Sequence, residues 1–296
     1  MKKWPAGIAE MLISTFFFAL MNFCVKGLPG IPTHEMVFFR ALGVFTLSGL
    51  SLWKLKISPW GQKKSWLLLR GLYGTLGLSL YFWTLKNMPL ASAVTIQYLS
   101  PIFSTVVAIW LLKEVPPRRQ WLFFGISILG VMLIKGFDTR IAWLPLVAGI
   151  GAAICSALAY NYVRKLRGLD HPLVTVFYFP LVTLSLVSPY TLTHWVRPHG
   201  QEWLWLGLIG IFTHFAQYYL TKALQAEKMA IISQLNYIGV AYALAMGWFF
   251  FHEQIPPLAI LGLGLVIAGV VLGNTLGRKQ ENKSALMHTP SAQSKA

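Results

Sequence analysis

Acidic residues are scarce in this sequence: nine Asp and Glu occur among 296 residues, and charged residues of both signs make up only 11%. Soluble domains carry about 25% charged residues, so an ordinary water-soluble fold is excluded. The acids Glu10, Glu35, Glu114, Asp138, Asp170, Glu202, Glu227, Glu253 and Glu281 all fall in loops, in tails or near the ends of apolar runs. No His-Glu-x-x-His spacing occurs either. A catalytic carboxylate pair or a metal centre therefore lacks its ligands, which argues against an intramembrane enzyme and leaves no cofactor to expect. Cysteine is nearly absent: Cys24 and Cys155 both sit inside apolar runs, so they read as inert buried thiols rather than a disulfide framework. A Walker-type phosphate loop is missing, which excludes an ATP-driven pump. Neither a charged ring nor a filter-like loop is seen, which disfavours a channel. No Ala-x-Ala cleavage site follows the Lys2-Lys3 start, so the first apolar run reads as a retained helix.

Apolar length is abundant. Hydrophobic residues make up 56% of the chain, and a helix needs about 20 mostly apolar residues to cross a bilayer. Ten such runs are expected near 6–27, 33–53, 65–86, 91–112, 119–136, 142–164, 173–193, 203–225, 229–251 and 257–276. The connections are short and carry turn formers, as in Pro116-Pro117 and Pro256-Pro257, while 278–296 is polar and basic and reads as a disordered tail. A net charge of +16 could imply nucleic acid, but the Lys and Arg lie in short clusters between apolar runs, so cytoplasmic loops explain them and no nucleic acid is expected. With the N-terminus inside, nineteen basic residues, Arg70 and Arg164 among them, fall on the cytoplasmic side. Only Lys26, Lys86, Lys135, Arg140 and Arg197 fall outside, and both termini are therefore expected in the cytoplasm.

The chain is also written twice. At an offset of 139, Trp66, Gly71, Leu85, Glu114 and Pro117 meet Trp205, Gly210, Leu224, Glu253 and Pro256, and Gly125, Gly130 and Val131 meet Gly264, Gly269 and Val270. A weaker match at 138 pairs Ala19, Leu20 and Val25 with Ala157, Leu158 and Val163. The expected units are residues 1–138 and 139–277, each of five helices. Because five is odd, the second copy enters from the opposite face. The fold class expected is an all-α integral membrane protein of two inverted five-helix repeats, with any site near the midplane between them.

These residues resemble a known family. The segment Leu85-Lys86-Asn87-Met88-Pro89-Leu90-Ala91-Ser92-Ala93, Pro101, Leu112-Lys113-Glu114 and the Gly125/Gly130 helix are similar to EamA-type carriers of the drug/metabolite transporter superfamily. The second half keeps Ala223-Leu224, Glu253, Gly264 and Gly269-Val270, with Val240 where Pro101 would recur. The resemblance covers the chain to about Gly277. It implies a secondary carrier, without naming the cargo: such proteins move amino acids and derivatives, nucleoside-like metabolites, vitamins or sugars.

Residues that could carry chemistry are few. Arg40 lies about 10 Å into the second run at 1.5 Å per residue, where an arginine costs about 2.5–3.5 kcal/mol on insertion scales. It reads either as an anchor for a substrate carboxylate or phosphate, or as a side chain snorkelling to the interface. In the fourth run Pro101 lacks an amide hydrogen, and its ring pushes against the carbonyl of Gln97 four positions earlier. With Ser100 between them, and with Asn236 as the repeat counterpart of Gln97, this predicts a polar wall on a shared cavity, or else interhelical hydrogen bonds. His214, Gln217, Tyr218 and Thr221 recur on one face of the eighth run and must look inward. Asn22, Tyr81, Tyr160 and Asn161 are weaker members of the set. Glu114 and Glu253 end matching helices and read as structural, binding a cation or a helix N-terminus, or as gating ion pairs. Gly269, Gly273 and Gly277 form a small-residue stripe for packing within the chain or for a homodimer.

The expectation is a carrier in the plasma membrane, the inner membrane of a bacterium. Its partners are the lipid bilayer and a small polar solute such as an amino acid or a derivative like S-adenosylmethionine. With no acid near the midplane, exchange or facilitated transport is expected, His214 and Glu10 being the proton sites left.

Overall fold

The computed structural model describes residues 6–28, 30–87, 96–97, 99–135 and 143–239, and beyond these only 242, 245, 261–262, 264–265, 267–269 and 272. Among the described residues nine helices follow one another: α1 Ala6–Lys26, α2 Thr33–Lys54, α3 Lys64–Asn87, α4 Ser100–Leu111, α5 Arg118–Lys135, α6 Trp143–Lys165, α7 Pro172–Thr193, α8 Glu202–Ala226 and α9 Met229–Leu235. The fold is all-helical. Short punctuated turns separate the helices: Pro32 leads into α2, Pro172 opens α7, and Gly168 and Gly200 hold positive φ where a side chain would be strained.

Among the described residues four helices are both long and apolar enough to cross a bilayer by themselves, within Gly7–Val25, Thr33–Lys54, Trp143–Lys165 and Pro172–Thr193. These lie in α1, α2, α6 and α7. The helices α3 and α8 are longer, at 24 and 25 residues, but α3 carries Lys64, Arg70 and Lys86, and α8 carries Glu202, His214, Gln217 and Lys222. The two helices that dilute their apolar character are thus counterparts in the repeat.

Packing runs between the halves. The principal pairings are α1 with α8, α3 with α6, α2 with α7, α2 with α8, α3 with α7, α4 with α6, and α9 with both α4 and α1. Exchanging the halves maps each of these onto another, or onto itself, whereas α8 packs in addition on α6 and α7 of its own half. Close approaches between helices repeat the same way. A Cβ on Gly43 of α2 would stand 2.6 Å from the Cα of Gly210 on α8, and a Cβ on Gly71 of α3 would stand 2.7 Å from Val182 Cγ2 on α7. Ser14 of α1 donates to the carbonyl of Ala216 on α8 at 2.8 Å, while the bare face of Gly77 on α3 lies against the carbonyl of Ala152 on α6. Small residues let these backbones meet where lipid offers no hydrophobic drive.

One local expectation is corrected. Pro101 was expected inside a helix running from residue 91, displacing the Gln97 carbonyl, but α4 begins at Ser100 and Pro101 occupies its first turn. An amide hydrogen has no helical partner there, so the ring is tolerated without a kink. The interior prolines are instead Pro180 and Pro189 of α7.

Candidate functional site

A small cavity lies where the halves meet, lined by Val37, Arg40, Ala41 and Val44 of α2, Leu78 of α3, Phe179, Pro180 and Thr183 of α7, and Thr213 of α8. These helices form two counterpart pairs, α2 with α7 and α3 with α8, so both halves line the cavity. Pro180 cannot donate to the Val176 carbonyl, which leaves irregular backbone against this space. Thr183 donates to the Phe179 carbonyl at 2.9 Å, and its hydroxyl meets Thr75 of α3 at 2.8 Å.

Arg40 is 7% exposed and its Nε has no hydrogen-bond partner among the described residues. Beside it lies a second buried cation. Arg70, counted from sequence with the cytoplasmic loops, is instead 3% exposed in α3. Its Nη2 donates to Gln217 Oε1 on α8 at 2.9 Å, and its guanidinium carbon lies 4.2 Å over the Phe179 ring. Gly74 makes this stack possible: a Cβ there would fall 2.8 Å from Phe179 Cε2 and 2.9 Å from Arg70 Nη1. Arg40 and Arg70 are thus two buried guanidiniums, on α2 and α3. Neither takes part in the ion pairs found among the described residues.

The face expected on α8 does turn inward. His214, Gln217 and Thr221 are buried and Tyr218 half-buried, with His214 Nδ1 and the Thr221 and Thr213 hydroxyls unpartnered among the described residues. Other candidates lie apart from the cavity. Gln97 donates to Ser156 of α6 at 3.2 Å, Ser100 is buried at the start of α4, and Asn236 is half-buried after α9. Asn161 donates to the carbonyls of Ser104 and Ala157, tying α6 to α4. Tyr81 is half-buried on α3, and Asn22 lies on the exposed side of α1.

Glu114 organises one end of the molecule. Its Oε1 accepts from Nε and Nη2 of Arg164 at 2.9 and 2.8 Å, and its Oε2 accepts from the Met229 amide at the start of α9 at 3.0 Å. Arg164 also donates to the Leu224 and Gln225 carbonyls at the end of α8. Glu253, its repeat counterpart, lies outside the described residues, as do Gly273, Gly277 and the tail. Glu10 pairs with Lys222 at 2.7 Å, joining α1 to α8.

The EamA-like transporter family matches this chain twice, over residues 5–136 and 143–275. The chain belongs to that family. It is similar to the pseudopaline exporter CntI of Pseudomonas aeruginosa, at 30% identity over 91% of this chain and 96% of that one. It is similar as well to the riboflavin transporter of Vibrio cholerae, at 27% identity over 89% of this chain and 91% of the other. A solved crystal structure shares the fold with a TM-score of 0.82, covering 93% of this chain and 100% of that one at 15% identity. This EamA protein is thus an integral membrane transporter and not an enzyme, and its relatives move small metabolites.

Proposed function

We propose that this protein is a secondary carrier of a small polar organic metabolite that bears an acid group, an amino acid or an amino-acid derivative. It has ten spanning helices in two inverted five-helix repeats, residues 1–138 and 139–277, with both termini in the cytoplasm and the tail 278–296 outside the bundle. Its place is the inner membrane of a bacterium. One observation carries the reading: Arg40, buried and with its Nε lacking a partner among the described residues, lines a cavity between helices of both halves. A charge so placed is costly unless a ligand answers it, and a site between the halves is where rocking of one half against the other exposes cargo to each side in turn. The cavity wall brings no carboxylate among its residues, which supports exchange or facilitated transport over proton coupling.

The test is counterflow in proteoliposomes loaded with mixed amino acids and carboxylated metabolites. The expected outcome is exchange that runs without an imposed pH gradient and falls at least about tenfold in Arg40→Gln, since a charge-assisted pair is worth about 1.5–3 kcal/mol. Uptake that requires a pH gradient and is abolished by His214→Ala overturns the coupling. Exchange unchanged in Arg40→Gln overturns the role of Arg40.

A further inference from the structure

We propose that the loop from α2 to α3, with the end of α6 beside it, holds the headgroup of an anionic phospholipid. The chain here is both basic and aromatic. Lys54, Lys56, Lys63 and Lys64 alternate with Trp53, Trp60 and Trp66, and no Asp or Glu occurs from residue 36 to residue 113. All four lysines are exposed, and none takes part in the ion pairs found among the described residues. A fifth cation comes from another element: Lys165, in the last turn of α6, places its Nζ 4.5 Å over the Trp66 ring at the start of α3. The acid that meets this loop, Asp170, is 9% exposed, and its Oδ1 accepts from the Gln62 amide at 2.8 Å. Five cations are thus set against one buried carboxylate.

The patch has a fixed shape. Gly61 is buried, and a Cβ there would collide with Leu67 Cδ1 and stand 2.9 Å from Asp170 Oδ1, so the loop lies tight against the start of α3 and the turn after α6. At the end of α2, Lys56 holds φ 53°, in the left-handed region that glycine favours there, while the Ile57 amide donates back to the Leu52 carbonyl at 3.0 Å. A lysine at this turn keeps a cation where glycine would fold more easily. The tryptophans decide the occupant. Trp53 is 77% and Trp60 70% exposed, and a soluble anion met by the lysines alone would leave both indoles bare in water. Indoles settle at headgroup level with the ring toward the acyl chains, and lysines beside them reach phosphate. Lys64 Nζ stands 5.5 Å from the Trp60 ring, so cation and indole share one place. The topology proposed above puts this loop in the cytoplasm, where the anionic leaflet draws basic segments. Because the loop joins α2 to α3, the helices of Arg40 and Arg70, a lipid held here tethers both to one leaflet.

The experiment is thermal unfolding of the full chain in detergent micelles at constant ionic strength, titrated with dioleoyl phosphatidylglycerol, dioleoyl phosphatidylcholine or glycerol 3-phosphate. Wild type is compared with a loop variant (K54Q, K56Q, K63Q and K64Q together), a tail variant losing the same charge (R278Q, K279Q, K283Q and K295Q together), and Trp53→Ala with Trp60→Ala. A ligand of the native state raises apparent stability by mass action. The expected result is stabilisation of wild type by phosphatidylglycerol at concentrations at least about tenfold below those of phosphatidylcholine, since each basic residue at an anionic surface is worth roughly fivefold. The loop variant loses that preference, the tail variant keeps it, and the tryptophan variant weakens it. Glycerol 3-phosphate leaves the midpoint unchanged at the same concentrations. Equal responses to the two lipids, a preference that survives in the loop variant, or an equal loss in the tail variant each overturn the inference. Stabilisation by glycerol 3-phosphate that matches phosphatidylglycerol overturns it as well, in favour of a soluble anion. Should the loop variant not fold, K63Q with K64Q, which leaves the end of α2 untouched, is expected to lose at least half of the preference, and an undiminished preference there overturns the inference. Counterflow reads the carrier and not this patch, so either reading can fail alone.

Discussion

A buried guanidinium needs both its hydrogens and its charge answered, and Arg70 shows how narrowly this is met. The stack on Phe179 exists because residue 74 has no side chain. Gly74→Ala would place a methyl 2.8 Å from Phe179 and 2.9 Å from the guanidinium, closer than real contacts allow. Overpacking of this kind costs about 1–3 kcal/mol, and the flexible partner, Arg70, is the one that moves. Thermal unfolding in detergent is expected to show a lowered midpoint. An unchanged midpoint would show that the stack is incidental. Arg40 was legible in the sequence because it is the one charge inside a long apolar run. Arg70 was not, because Lys63 and Lys64 stand just before it and a charge count cannot tell a loop from the first turns of a helix. Its partner Gln217 is 147 residues away, beyond any local pattern.

The helix ends at Glu114 form a junction of four elements: the turn after α4, the end of α6, the end of α8 and the start of α9. Removing one member of a partly buried pair strands the other, at about 3–5 kcal/mol where burial is complete and less here, since the Glu114 side chain is 23% exposed. Glu114→Gln can still accept from the Met229 amide but loses the charge, whereas Glu114→Ala loses both. Stability measured by thermal unfolding is therefore expected to fall in the order wild type, Gln, Ala, with Arg164→Lys unable to restore the forked contact. Equal midpoints for all would mean that the junction contributes nothing. Helix positions were legible at this scale, because apolar runs and paired prolines mark them. The exact start of α4 was not: a Pro in a first turn and a Pro in mid-helix look alike until backbone direction is known. Pro180, on the cavity wall, went unnoticed in an apolar run for the same reason.

In the whole molecule the duplicated chain does not fold as two lobes. Its principal contacts cross from one half to the other, α1 on α8 and α3 on α6, although the repeat read from sequence suggests separable units. A protease site placed between the two family matches, in 137–142, tests this. After cleavage of the folded protein, the fragments are expected to co-elute in detergent and to unfold in one transition. Two independent transitions would overturn the interlocked reading. The repeat was legible because counterpart residues keep one offset. Which helix would pack on which was not, because that depends on contacts more than a hundred residues apart. The bond from Ser14 to Ala216 spans 202 residues. At synthesis rates of about 5–20 residues per second, α1 waits roughly 10–40 s in the bilayer before its partner exists. During that interval small-residue faces such as that around Ser14 lie open to lipid and to other nascent helices. Translation speed and the insertion machinery, as much as sequence, thus decide whether this protein reaches its native pairing.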